Sequence, residues 1–155
     1  MTLAEAVLAA AKARGALLVT AESCTAGMIA AALTDPAGAS SVFDRGFVTY
    51  SNAAKIQMLG VSEATLAARG AVSEEVAREM AEGARSRSGA THAVAVTGIA
   101  GPGGSEHKPE GRVCFGLATE EGTRTETVEF GAIGRGPVRA ASRDHALRLL
   151  ADSLG

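Results

Sequence analysis

Ala16-Leu-Leu-Val-Thr-Ala21, followed by Glu22, then Ser23-Cys-Thr-Ala-Gly27, then a pattern running from about Met28 to Leu33, is the stretch that decides the fold. The first run is short, apolar and rich in strand formers, so it reads as a buried strand. The last has helical patterning and is closed by Asp35-Pro36, a proline-bearing stop. Small residues fill the junction between them. A strand, a sharp turn and a helix in succession predict a sheet with helices crossing its face.

Working outward, the flanks agree. Leu3 to Arg14 is Ala-rich with apolar residues at helical spacing, and Gly15 stands where a terminating glycine belongs. Phe43 to Tyr50 reads as a second strand. Ser51 is a candidate N-cap for a helix through Leu59, with Gly60 behind it. Ser62 and Ser73 are further N-caps, each with Glu in the next turn, and the Ser73 helix is expected to run to about Arg87. His92 to Thr97 is a third strand, opening into the loop Gly98-Ile-Ala-Gly-Pro-Gly-Gly104. Strands near Arg112 to Ala118 and Thr123 to Phe130 pair through a turn at Glu120-Glu-Gly122. Pro137 fits the first position of a last helix reaching about Asp152.

Early alternation and a late hairpin predict a three-layer α/β/α sandwich. Its sheet is expected to be mixed and mostly parallel, with a late antiparallel hairpin. Without a linker or internal repeat, residues 1–155 read as one domain. Such sheets bind ligands at the carboxyl ends of their parallel strands. Glu22-Ser23, Tyr50-Ser51 and Gly98 to Gly104 all fall there.

Composition narrows the function. The chain has 155 residues, 46% apolar and 21% charged, which suits an ordinary globular core. Its net charge is −2 and aromatics make up 3% of it, so it lacks the cations and stacking faces of a nucleic-acid binder. Two cysteines, Cys24 and Cys114, make no disulfide framework, and no acidic cluster or histidine pair suggests a metal. The sequence shows no signal peptide or membrane span, so the expected location is the cytoplasm.

Ser23 sits at a strand-to-helix junction that can expose its hydroxyl, and the amides after it are candidate oxyanion donors. Equally, Ser23 or Thr25 is a plain N-cap. The three histidines offer no obvious base. Lys55 falls one turn into the helix capped by Ser51, where the helix field disfavours its ammonium and a neutral amine can take a serine proton. Tyr50, the only tyrosine, could assist. A solvated lysine and a tyrosine packed on the sheet remain the plain alternative. Gly98 to Gly104 could cradle a phosphate through backbone amides, with Lys108 as a point charge, or be a surface loop. Cys24 is a rival nucleophile, since a thiol at a helix N-terminus ionises readily, or else a small buried hydrophobe.

Read as strings, four motifs resemble one family. They are Thr20-Ala-Glu-Ser-Cys-Thr-Ala-Gly27; Arg45-Gly-Phe-Val-Thr-Tyr-Ser-Asn52 with Ala54-Lys55; Gly70-Ala-Val-Ser73; and Thr97-Gly-Ile-Ala-Gly-Pro-Gly-Gly104 with Lys108-Pro109 and Gly111. The family is the nicotinamide-nucleotide amidases, the C-terminal domain family of the competence/damage-inducible protein CinA. The resemblance implies hydrolysis of nicotinamide mononucleotide to nicotinic acid mononucleotide and ammonia, with no metal or organic cofactor. It implies a serine-lysine mechanism with a tyrosine assisting, which maps onto Ser23, Lys55 and Tyr50. It further implies substrate contacts at Cys24 and Thr25, at Thr97, Gly98 and Gly101, and at an arginine near the last helix, Arg139 ahead of Arg135. The partners expected are the nucleotide substrate and further copies of the chain, with neither nucleic acid nor membrane. Two departures stand out: Ala26-Gly27 where relatives often carry Gly-Gly, and Ile133-Gly-Arg135 where they commonly show Gly-Asp-Arg. The competing expectation is a nucleotide-sensing or partner-binding module of the same fold without chemistry.

Overall fold

The computed structural model describes residues 1–105 and 107–155. Five strands of the described residues form one sheet: β1 (Leu18–Glu22), β2 (Phe43–Val48), β3 (His92–Gly98), β4 (Arg112–Thr119) and β5 (Gly122–Glu129). Their order is β2-β1-β3-β4-β5. β1 pairs in parallel with β2 and β3, while β3–β4 and β4–β5 are antiparallel. The mixed sheet and late hairpin expected from the sequence are present.

Among the described residues six α-helices cover it: α1 (Leu3–Arg14), α2 (Met28–Thr34), α3 (Asn52–Leu59), α4 (Glu63–Arg69), α5 (Glu74–Ser88) and α6 (Arg135–Leu154). Local chemistry sets their ends. Thr2 and Glu5 make a capping box at the start of α1, and Gly15 closes it in the left-handed region. Ser51, Ser62 and Ser73 cap α3, α4 and α5 as their spacing predicted. Pro137 departs from expectation. α6 begins at Arg135, which puts the proline third rather than first, still within the turn whose N–H groups lack helical partners.

The two faces of the sheet differ in side-chain size. Leu18, Val94, Val96, Val113, Phe115 and Leu117 face α1, α2 and α6 and build the larger core. Val19, Ala21, Ala93, Ala95 and Ala118 face α5, with Leu59 and Val61 joining from the α3 side. Small residues there let α5 lie close. A Cβ on Gly116 would come within 2.6 Å of the Ala77 carbonyl oxygen, and one on Gly83 within 1.9 Å of Leu59 O. Aliphatic residues thus supply a core for a chain with no tryptophan. Among the described residues, no helix is long and apolar enough to cross a membrane.

Candidate active site

The carboxyl ends of β1, β2 and β3 meet at one edge. The ladder continues just beyond β1: Ser23 N–H donates to Val96 O (3.0 Å) and Thr49 N–H to Glu22 O (2.9 Å). Ser23 is thereby held at the rim, 7% exposed.

Glu22 explains the turn after it. Its side chain is fully buried on the α2 face of the sheet. Oε1 accepts from Thr25 Oγ1 (2.7 Å) and Ile29 N–H (2.9 Å), and Oε2 accepts from Ala30 N–H (3.0 Å). The carboxylate therefore does for α2 what Gly27, its N-cap, cannot do with a side chain. Doubling back over so short a distance drives Ala26 to φ 45° and Gly27 to φ 100°. The left-handed region costs an L-residue roughly 1–2 kcal/mol, so alanine at position 26 is a strained choice.

Lys55 arrives from the other side. Ser51 Oγ accepts from Ala54 N–H (3.0 Å), and Lys55 N–H donates to Ser51 O (3.1 Å). Side chains on a helix lean towards its N-terminus, so Lys55 reaches back to the end of β2. Its amine donates to Ser23 Oγ (2.9 Å), Thr49 O (3.0 Å) and Tyr50 O (3.2 Å). At 1% exposure it is buried, against the solvated alternative that the sequence left open.

Tyr50 meets the pair through its main chain. Its carbonyl lies 3.5 Å from Ser23 Oγ, as an acceptor. Its ring is 59% exposed, and its hydroxyl accepts from Arg135 Nη2 (3.1 Å). The other nitrogen of that guanidinium, Nη1, donates to Gly101 O (2.7 Å), so Arg135 bridges the Tyr50 loop and the glycine-rich loop.

Beside Ser23 is a cleft of about 290 Å³, lined by Ala71, Val72, Thr97, Gly98 through Ser105 and Arg135. That is at the small end of ligand pockets. Thr97 Oγ1 donates to Ala71 O (2.8 Å). Gly101 has φ 93°, and a Cβ there would sit 2.6 Å from the Glu110 carboxyl. Arg135 borders this cleft; Arg139, ranked ahead of it from sequence, instead donates from Nε to Cys24 O (2.9 Å) and from Nη2 to Thr25 O (3.4 Å). Lys108 is no phosphate point charge here, because its amine donates to Arg69 O and Val72 O at 2.5 Å each. It ties the glycine-rich loop to the α4–α5 connection.

The remaining candidates sit elsewhere. His92 starts β3 at the opposite edge of the sheet, and His145 on α6 contacts Glu126 and the ring of Phe115. Burial pushes the Cys24 thiol up to about 11, with the Arg139 charge opposing only in part. Sequence reasoning expected the opposite shift from a helix N-terminus, but the desolvation of a nearly enclosed sulfur outweighs it. Cys24 is thus a neutral thiol at neutral pH. Iodoacetamide at pH 7.5 is expected to leave it unmodified in the folded protein and to alkylate it after unfolding; prompt alkylation of native protein would contradict this. Because the folded value is raised above the ordinary 9.0, its contribution to stability is complete below pH 9 and lost as pH rises towards about 11.

A model of the CinA C-terminal domain family matches residues 1–154. The chain belongs to the CinA C-terminal domain family. It is 53% identical over 151 residues to a protein of Escherichia coli K12 named nicotinamide-nucleotide amidohydrolase PncC, a match spanning 97% of this chain and 92% of that one. A CinA-like protein of Chlorobium phaeobacteroides is 58% identical over 120 residues, covering 75% of this chain and only 29% of the longer relative. Among solved structures, a competence/damage-inducible protein of Agrobacterium tumefaciens superposes with a TM-score of 0.93 at 49% identity, over 98% of this chain and 93% of that one. A CinA-superfamily structure from Klebsiella pneumoniae gives 0.94 at 38% identity, over 98% and 95% of the two chains. Membership of the CinA C-terminal domain family therefore extends across the sheet, the helices and all three loops of the cleft.

Glu22 is the residue that sequence reasoning passed over as chemistry. Its signal was a carboxylate ending an apolar strand, directly before a turn of small residues and a helix that has no capping side chain.

Proposed function

We infer that this chain hydrolyses the carboxamide of nicotinamide mononucleotide, giving nicotinic acid mononucleotide and ammonia, with Ser23 as nucleophile and Lys55 as base. The 2.9 Å contact between the Lys55 amine and Ser23 Oγ is the observation that carries this reading. A serine hydroxyl needs a base within hydrogen-bond reach, and here a buried amine supplies it. The relatives named as nicotinamide-nucleotide amidohydrolases support the substrate.

In the neutral amine, two N–H bonds serve the Thr49 and Tyr50 carbonyls and the lone pair faces Ser23 Oγ. Lys55 takes the hydroxyl proton as the oxygen attacks the carboxamide carbon. The C–N bond then breaks, the proton passes to the departing nitrogen, and ammonia leaves. Water attacks the acyl-serine, Lys55 accepts its proton, and the acid product and free Ser23 are regenerated. Among the described residues, the amides of Ala26, Met28, Ile29 and Ala30 are bound within the protein and Thr25 is fully buried, which leaves the N–H groups of Cys24 and Gly27 to meet the oxyanion.

Substrate placement follows the cleft, with Thr97, Gly98 and Gly101 along one wall and Arg135 at the mouth for the phosphate. Residues 1–155 act as one amidase domain, in the cytoplasm and as a homo-oligomer, in the same proposal. The test is to incubate purified protein with nicotinamide mononucleotide and measure both products. Equimolar ammonia and nicotinic acid mononucleotide are expected. Thermal stabilisation by the nucleotide with neither product would replace the enzyme by a sensing module.

A further inference from the structure

The two ends of Tyr50 meet different partners. Its carbonyl accepts from the Lys55 amine at 3.2 Å, beside the nucleophile. Its ring lies exposed, and its hydroxyl accepts from Arg135 Nη2 at 3.1 Å. Arg135 in turn lines the cleft that opens beside Ser23. Its guanidinium stands in an awkward place. Arg135 is exposed and is the first residue of α6, where the positive end of the helix disfavours a cation. Left to itself, so long a side chain would sample many rotamers. Two acceptors from separate loops hold it instead: the Tyr50 hydroxyl, and Gly101 O at 2.7 Å from Nη1.

What is held there stays charged. Among the described residues Arg135 makes no ion pair, and both of its acceptors are neutral. A guanidinium carries five N–H donors, of which two are engaged here. The other donors and the whole positive charge remain for an anion at the cleft. A fork already fixed in place has little freedom left to lose when a phosphate binds, so holding it strengthens binding.

We propose that Tyr50 is a positioning residue: its hydroxyl sets the Arg135 guanidinium over the cleft, and the pair selects a phosphorylated nucleotide over the corresponding nucleoside. This rests on the amidase reading above and assigns the tyrosine hydroxyl to substrate selection rather than to proton transfer. Tyr50→Phe deletes that hydroxyl alone and keeps the carbonyl that Lys55 uses. A hydrogen bond to a charged group is worth about tenfold in binding or more, so KM for the nucleotide is expected to rise by that factor. The accompanying change in kcat is expected to stay within about threefold.

The experiment measures steady-state ammonia release from nicotinamide mononucleotide and from nicotinamide riboside, its phosphate-free counterpart. Wild type, Tyr50→Phe, Arg135→Ala and the double variant are compared, with thermal midpoints to show that each is folded. Tyr50→Phe is expected to raise KM for the nucleotide and to lower the preference for nucleotide over riboside by the same factor. In the Arg135→Ala background it is expected to add less than about twofold, because the hydroxyl acts through the guanidinium. Where the riboside turns over too slowly to follow, its inhibition constant against the nucleotide supplies the comparison. A fall in kcat at constant KM would overturn the proposal and return the hydroxyl to proton transfer. An unchanged preference for the nucleotide, or additive effects in the double variant, would overturn it as well. Without ammonia from wild type the amidase reading falls, yet calorimetric affinities of the same four proteins for nucleotide and riboside still decide the role of the Tyr50–Arg135 pair.

Discussion

Lys55→Met is expected to abolish ammonia release, lowering kcat by roughly 10³-fold or more, while the protein still folds and binds nucleotide. The substitution isolates chemistry from packing. Lys55 heads the fully buried side chains by size, so truncation to alanine would add a cavity penalty. Methionine fills nearly the same volume without an amine. It leaves Ser23 Oγ, Thr49 O and Tyr50 O without the donor they now share, at a cost of about 1–3 kcal/mol. Nucleotide affinity from titration calorimetry is expected to stay within about threefold of wild type. Weakened binding with preserved turnover would instead make Lys55 a phosphate anchor.

Glu22→Gln is expected to be the most damaging near-isosteric change to stability. The amide oxygen can keep the bonds from Thr25 and Ile29, but its NH₂ group then confronts the Ala30 N–H, donor against donor. The charge that complements the α2 N-terminus is lost as well. Together these amount to about 2–3 kcal/mol, or a melting midpoint lower by roughly 5–10 °C in a domain of this size. Turnover should fall too, because a shift of about 1 Å in a reacting group can cost on the order of 10²-fold. An unchanged midpoint would show that the carboxylate does not organise this turn.

These two residues also mark what the sequence makes legible. Strand, helix and cap positions follow from local patterning, so Gly15, Ser51, Ser62 and Ser73 fall where their chemistry predicts. Ser23 and Lys55 were legible as an unusual serine and an unusual lysine, but their separation of 32 residues hides the 2.9 Å contact between them. The partners of Lys55 at Thr49 and Tyr50 are main-chain oxygens, which no residue identity announces. The arginines were harder. One helical turn separates Arg135 from Arg139, yet one reaches forward over the cleft and the other back to the Ser23 turn. Spacing along a helix gives the interval between side chains, not which neighbour each will meet. Cys24 was misjudged for a related reason: the helix field is visible in sequence, whereas the burial that outweighs it is a property of the packed molecule.

In the proposed mechanism Ser23 is acylated by the carboxamide of nicotinamide mononucleotide. The most direct test is mass spectrometry of protein acid-quenched during turnover, comparing wild type, Ser23→Ala and Cys24→Ser. An adduct with the mass of the nicotinoyl nucleotide, mapped to Ser23, is expected in wild type and Cys24→Ser, with no adduct or ammonia from Ser23→Ala. Ammonia release that survives Ser23→Ala, or an adduct mapped to another residue, would contradict it.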